Sequence, residues 1–175
     1  LYAAAITCQP VLAADRTEPE RAMNDRSAHD RLLAPWPGPY GGVPPWDAVT
    51  VPALGAAIEA AMADYLAEVA AIAADPAPPT FENTLVALDQ AGAAYRRVLT
   101  LYAVHASNLS TPEFQSLERE TAPKLAALSD RIVQDEALFR RIEAVHGSIG
   151  TAGLDAAQRR LVARRYRDFV RAGAA

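Results

Sequence analysis

Large apolar residues recur at intervals of three and four along most of the chain, which is the spacing of one face of an α-helix. This pattern predicts a first helix over 52–74, with Pro52 in its first turn after Thr50. Its larger apolar positions are Leu54, Ile58, Met62, Tyr65 or Leu66, Val69 and Ile72. A rigid proline-rich connector at 75–79 ends the helix.

Two further long helices are predicted from the same spacing. The second covers 80–106, with Thr80 as its N-cap and an apolar face that repeats every seven residues. The members of that face are Phe81, Leu85, Leu88, Gly92, Tyr95, Leu99, Tyr102 and Ala106. The third covers 112–132, since Thr111-Pro112-Glu113 combines a cap, a proline in the first turn and an acid. Pro123 inside it predicts a kink about one turn earlier.

Two shorter helices complete the pattern. Asp135 is predicted to cap a helix that carries Leu138, Phe139, Ile142 and Val145. After a loop at 147–153, Asp155 and Gln158 form a capping box that opens the last helix, which reaches about Ala172. The chain has no strand-like alternation of useful length. The predicted fold class is therefore all-α, an array of about five antiparallel-packed helices preceded by a proline-rich extended arm.

The arm is the stretch 33–46, LAPWPGPYGGVPPW, whose prolines exclude a helix and a central strand. Its rings, Trp36, Tyr40 and Trp46, predict an arm pinned on the protein's own surface; the alternative is a polyproline ligand for another domain. Residues 1–30 are predicted to be a disordered leader or a signal remnant, and 31–175 the helical region. The apolar run 1–14 favours the bacterial periplasm if it is a signal remnant, and the cytoplasm otherwise.

Composition supports helices, because 39 of the 175 residues are alanine and only 7% are aromatic. The net charge of −4 divides into +5 for residues 159–175 and −9 for the remainder. One stripe of the last helix holds Arg160, Arg164, Arg167 and Arg171, opposite Leu161, Val162, Tyr166 and Phe169. The acidic remainder disfavours a nucleic-acid partner, so pairing with acidic helices or with a segment beyond residue 175 is the preferred interpretation. Arg165, at the border of the apolar face, is the candidate for a buried ion pair.

No motif in the chain carries a reaction. His29, His105 and His146 show neither HExxH nor ligand spacing, and the single cysteine, Cys8, excludes an internal disulfide and a multi-cysteine metal site. Acid pairs such as Glu118 with Glu120 fit solvated helix surfaces. We therefore assign no catalytic, cofactor-binding or metal-binding residue. No run reaches the roughly 20 apolar residues of a membrane span.

The residues themselves resemble a known family. The stretch 39–92 resembles the N-terminal region of the peptidyl-dipeptidase Dcp, oligopeptidase A and thimet oligopeptidase family of zinc metallopeptidases. The string Pro79-Thr80-Phe81-Glu82-Asn83-Thr84 is its most specific part. Further matches are at 122–125, 137–139, 141–142, 158–161 and 167–174, so that the resemblance covers about 31–175.

The resemblance implies an N-terminal, non-catalytic portion of a peptidyl-dipeptidase, which hydrolyses oligopeptides and releases C-terminal dipeptides. This portion would form a wall of the substrate channel, with the remainder of its own polypeptide and short peptides as partners. The family's zinc is held by an HExxH helix and a downstream Glu, and none of these residues maps onto this sequence. Zinc is thus expected in the full-length enzyme and not in this chain. The alternative is a free-standing helical protein-binding module that uses the arm or the basic last helix.

Overall fold

The computed structural model describes residues 28–173. In that range a short helical segment at 28–33 and a 3-10 turn, Trp46–Ala48, precede six helices. They are α1 (Val51–Ala73), α2 (π-helical Phe81–Val86 continued by α-helical Ala87–Gln90), α3 (Ala93–Asn108), α4 (Pro112–Val133), α5 (Glu136–Gly147) and α6 (Ala156–Arg171). No strand occurs among the described residues, and the predicted all-α array is confirmed.

Side-chain caps fix the predicted helix starts. The Thr50 hydroxyl accepts from the Ala53 amide at 3.2 Å, and Thr111 accepts from Phe114 at the same distance. Asp135 accepts from the Leu138 amide at 2.8 Å. At α6 the predicted capping box is present, since Asp155 accepts from the Gln158 amide while the Gln158 side chain accepts from Asp155 N–H. Each cap satisfies an amide that the first turn leaves unpaired, which explains why the starts are readable from sequence.

The main core is built around α1, which packs against α3, α4 and α5. The largest fully buried side chains that α1, α3 and α4 contribute to this core are Leu54, Ile58, Val98, Leu101 and Phe114. A second, smaller cluster joins α2, α5 and α6. It consists of Phe81, Leu85, Val145, Leu154 and Val162. The short α2 is therefore held by the C-terminal helices as well as by α1.

The prediction of one continuous helix over 80–106 is wrong, because the chain breaks between α2 and α3. Gly92 has a φ of +71°, and its N–H donates to the Glu68 carboxylate at 2.5 Å instead of to a helix carbonyl. The break shifts the buried face of α3. Val98 and Leu101 are fully buried there, whereas the predicted Leu99 is only half-buried.

The structure differs from two smaller predictions, for Leu161 and Arg165, and leaves a third, for Pro123, untested. Leu161 is 37% exposed, so its predicted place on the apolar face of the last helix is wrong. The buried ion pair predicted for Arg165 is also wrong, since this side chain is 41% exposed and lies 3.9 Å from an exposed Asp89 carboxylate. Helix α4 continues through the exposed Pro123, and the kink stays a prediction.

Only one ring of the arm is pinned as predicted. Trp36 packs against the main core, whereas Tyr40 is fully exposed and Trp46 is 47% exposed. The ends of the arm are tied down by polar contacts. Arg31 donates to both Asp47 carboxylate oxygens at 2.8 and 2.9 Å, and Arg97 donates to the Leu33 carbonyl at 2.6 Å.

Residues 1–27 of the leader predicted at 1–30 lie outside the described residues. This part includes the signal-like run and Cys8. Residues 28–33 are helical, with Ala28 and Leu32 buried in the main core, so helical packing begins before the predicted boundary at 31. The division into leader and helical region stays a prediction. None of the helices between residues 28 and 173 combines the length and the apolar character that a membrane span requires.

Candidate functional site

The string at 79–84 forms the start of α2. Thr80 Oγ1 accepts from the Asn83 amide at 3.1 Å, and Asn83 Oδ1 accepts from the Thr80 amide at 2.7 Å. The Asn83 Nδ2 group also donates to the Pro78 carbonyl at 3.0 Å. Phe81 and Thr84 are buried beneath this turn. The most family-like residues of the chain therefore cap a helix and anchor it, which confirms Thr80 as an N-cap.

A buried arginine ties the preceding connector to α5. Arg141 Nη1 donates to the carbonyls of Asp75 and Ala77 at 2.6 and 3.1 Å, and Nη2 lies 3.2 Å from the Asp75 carboxylate. The Arg141 side chain is 7% exposed and that of Asp75 is 30% exposed. Sequence reasoning placed Arg141 in a family-like string but missed this role, because the partners are more than 60 positions away and two of them are backbone carbonyls.

A cavity of about 500 Å³ opens among α1, α2, α3, α4 and α6, where the break at Gly92 separates α2 from α3. We call it the tyrosine cavity. Its apolar lining is Tyr65, Leu88, Tyr95, Leu128, Ile132, Val133 and Phe169. Tyr65 and Tyr95 stack with ring centroids 5.4 Å apart, and burial raises the pKa of the Tyr95 phenol.

Four polar side chains line the same cavity, namely Asp89, Arg96, Ser129 and Arg165. Arg96 donates to the carbonyls of Ala91 and Gln90 at 2.6 and 3.3 Å, which commits its guanidinium to the helix break. Arg165 Nη2 is 3.9 Å from Asp89 Oδ1, too far for a hydrogen bond. The cavity thus combines an apolar wall with a cation whose polar contacts are incomplete.

The histidines are separated by the fold. His29 lies beside Asp30, His105 packs on Phe114 with centroids 5.5 Å apart, and His146 stacks on Tyr166 at 4.2 Å. Among the described residues, no group of three or more His, Cys, Asp or Glu could hold a metal ion. The expected absence of zinc from this chain stays a prediction. That no residue is catalytic stays a prediction.

The charged surfaces lie largely where the pattern predicted them. Arg160, Arg164, Arg167 and Arg171 are all exposed, and Arg164 is 3.8 Å from Asp168 one turn later. Glu120 is exposed and Glu118 is half-buried. None of these charged residues is among the described residues that line the tyrosine cavity.

A capped helical array with an anchored connector is the class of structure that these contacts define. Comparison with known proteins relates it to peptidases: the chain is 40% identical over 107 residues to dipeptidyl carboxypeptidase of Salmonella typhimurium. It is 36% identical over 118 residues to dipeptidyl carboxypeptidase of Escherichia coli, and 28% identical over 131 residues to oligopeptidase A of Salmonella typhimurium. No family model matches the chain.

These matches confirm the predicted resemblance to the Dcp and oligopeptidase A family over the matched part of the chain. The matches cover 61%, 67% and 75% of this chain. They span only 16%, 17% and 19% of the three relatives, so the matched part of the chain corresponds to less than a fifth of their length.

Proposed function

We propose that this chain is the N-terminal, non-catalytic portion of a zinc-dependent peptidyl-dipeptidase that releases C-terminal dipeptides from oligopeptides. The observation that carries the proposal is the 36–40% identity to two dipeptidyl carboxypeptidases over a stretch that is about a sixth of their length. The role proposed for this portion is to form one wall of the substrate channel, with the remainder of its own polypeptide as partner.

The contacts at the family-like residues support a scaffolding role. Thr80 and Asn83 cap α2, and Arg141 anchors the connector, so these side chains already have partners within the fold. Because these side chains are engaged within the fold, their proposed role is to shape the wall of the channel. The proposed chemistry belongs to residues elsewhere in the polypeptide.

The first test extends the reading frame of the source gene. We expect an HExxH motif and a later Glu downstream of residue 175; their absence would remove the peptidase assignment.

The second test measures zinc content and hydrolysis of short peptides by the purified 175-residue chain. We expect neither stoichiometric zinc nor hydrolysis that a chelator abolishes, whereas co-expression with the downstream part should restore dipeptide release.

The exposed rings of the arm favour a second candidate, a free-standing helical module that binds another protein. Tyr40, Val43 and Trp46 are 104%, 66% and 47% exposed. Large exposed apolar patches mark contacts with a partner, and these three side chains lie within seven residues of one another in the arm. A monodisperse chain with a cooperative melt would favour this candidate, whereas dye binding and aggregation would favour the separated portion of an enzyme.

A further inference from the structure

The tyrosine cavity has the size and lining of a small-molecule site. Its volume of about 500 Å³ falls within the roughly 300–1,000 Å³ of typical ligand pockets. Well-packed interiors hold few voids larger than a water molecule, so a cavity of this size is a feature of the surface that the packing of five helices leaves open.

The wall of the cavity suits an apolar body. Leu88, Leu128, Ile132 and Phe169 are each less than 9% exposed and hold fixed positions in the core. The stacked pair of Tyr65 and Tyr95 forms an aromatic side of the same cavity. Aromatic rings favour offset or edge contacts with a planar ligand, and the aliphatic side chains accept aromatic or branched aliphatic groups.

The charges of the cavity favour an anion. Two arginines, Arg96 and Arg165, stand against one carboxylate, Asp89, so the lining is net positive. Arg96 is engaged with two carbonyls, whereas the one polar approach of Arg165 to another described residue is the 3.9 Å distance to Asp89. A guanidinium in this position offers charge-assisted hydrogen bonds to a carboxylate, and the Ser129 hydroxyl lines the cavity as a further donor.

We propose that the tyrosine cavity binds a small organic anion whose body is aromatic or branched aliphatic, with its carboxylate beside Arg165. The proposal does not rest on the proposed function, because it is argued from the cavity-lining residues of this chain alone.

The test uses 1-naphthaleneacetate as probe and 1-naphthaleneacetamide as its neutral counterpart. Amide signals of the 15N-labelled chain are followed during titration with each compound. We expect saturable shifts that centre on Leu88, Ser129 and Ile132, and about fivefold tighter binding of the carboxylate than of the amide. Equal affinities for the two compounds, or shifts that map elsewhere, would overturn the proposal.

Three variants then separate charge from packing. Arg165→Gln should weaken the carboxylate about fivefold and leave the amide within about twofold. Asp89→Asn removes the competing carboxylate and should strengthen binding of the anion about twofold, a gain that unfolding cannot produce. Ser129→Trp should fill the cavity and abolish binding of both compounds.

Arg164→Gln is the matched control, because Arg164 is exposed on the same helix and does not line the cavity. It should bind both compounds as the unaltered chain does. An unchanged affinity in Arg165→Gln, or an equal loss in Arg164→Gln, would refute a specific site. Far-UV circular dichroism confirms that each variant keeps its helices.

Discussion

At the scale of single residues, two adjacent arginines on α5 show that the contribution of a charge to stability depends on its surroundings. Arg141 is buried and donates to two carbonyls of the connector, whereas Arg140 is exposed and pairs with Glu136 one turn earlier. A buried arginine that satisfies several acceptors leaves them unpaired when it is removed, while an exposed helical pair contributes little.

Arg141→Ala should therefore lower the free energy of unfolding by about 2–3 kcal/mol. The matched Arg140→Ala should change it by no more than about 0.5 kcal/mol. Urea unfolding followed by circular dichroism measures both. Equal effects of the two substitutions would show that the connector contacts of Arg141 do not stabilise the fold.

A second prediction at this scale concerns the ion pair at the base of the arm. The hydrogen bonds from Arg31 lower the pKa of the Asp47 carboxyl below its ordinary value. A lowered pKa in the folded state stabilises the fold above the unfolded value of about 3.9, and this stabilisation is lost as the pH falls through the folded value. Asp47→Asn should thus destabilise the chain at pH 7 and become equivalent to the unaltered chain in strong acid.

Urea unfolding midpoints measured from pH 7 down to strong acid test the role of the Arg31–Asp47 ion pair. The double variant Arg31→Gln with Asp47→Asn serves as control, since it should lose little beyond Asp47→Asn alone. A difference between Asp47→Asn and the unaltered chain that stays constant with pH would contradict the role assigned to the ion pair.

At the scale of elements, the break between α2 and α3 depends on one backbone conformation. Gly92 has a φ of +71°, and a Cβ added there would lie 2.8 Å from the Tyr65 ring. Both the positive φ and the close ring disfavour any side chain. The break in turn positions Arg96 and Tyr95 at the tyrosine cavity.

Gly92→Ala should reduce the free energy of unfolding by about 1–3 kcal/mol, because it adds backbone strain and a steric clash. Gly150→Ala is the control, as nothing lies within 4 Å of the added Cβ and the position has no positive φ. Thermal melts of the two variants should differ clearly. A Gly92→Ala chain as stable as Gly150→Ala would show that the two helices rejoin without cost.

At the scale of the whole molecule, stability depends on the main core that links the segment at 28–33 with every long helix. Phe114 on α4 is fully buried there, and its ring lies 5.3 Å from that of Tyr102 on α3. Leu109, in the connection between the same two helices, is 53% exposed. Substitutions at these two positions therefore compare a core residue with a surface residue in the same pair of helices.

Phe114→Ala should cost about 3–5 kcal/mol of unfolding free energy, because it leaves a large cavity in the core. Leu109→Ala should stay within about 0.5 kcal/mol of the unaltered chain. Urea unfolding followed by circular dichroism measures both. Comparable losses in the two variants would place Leu109 in a contact that the structure does not show.

The sequence by itself determined the helical class, most helix starts and the family resemblance. Apolar spacing and side-chain caps act within a few residues of each other, so Thr50, Thr111, Asp135 and Asp155 could be recognised without a fold. Family resemblance rests on the residues themselves, which is why it was visible from the string at 79–84.

Only the tertiary structure decided what depends on contacts between distant segments. At the break, Gly92 N–H donates to the Glu68 carboxylate on α1. Periodicity cannot register this contact between distant segments, so the sequence predicts a continuous helix there. The buried ion pair predicted for Arg165 is wrong, and the one at Arg141 is not predicted, for the same reason: the burial of an arginine is set by the helices packed around it. The tyrosine cavity likewise exists only where five helices meet, and no local pattern could have indicated it.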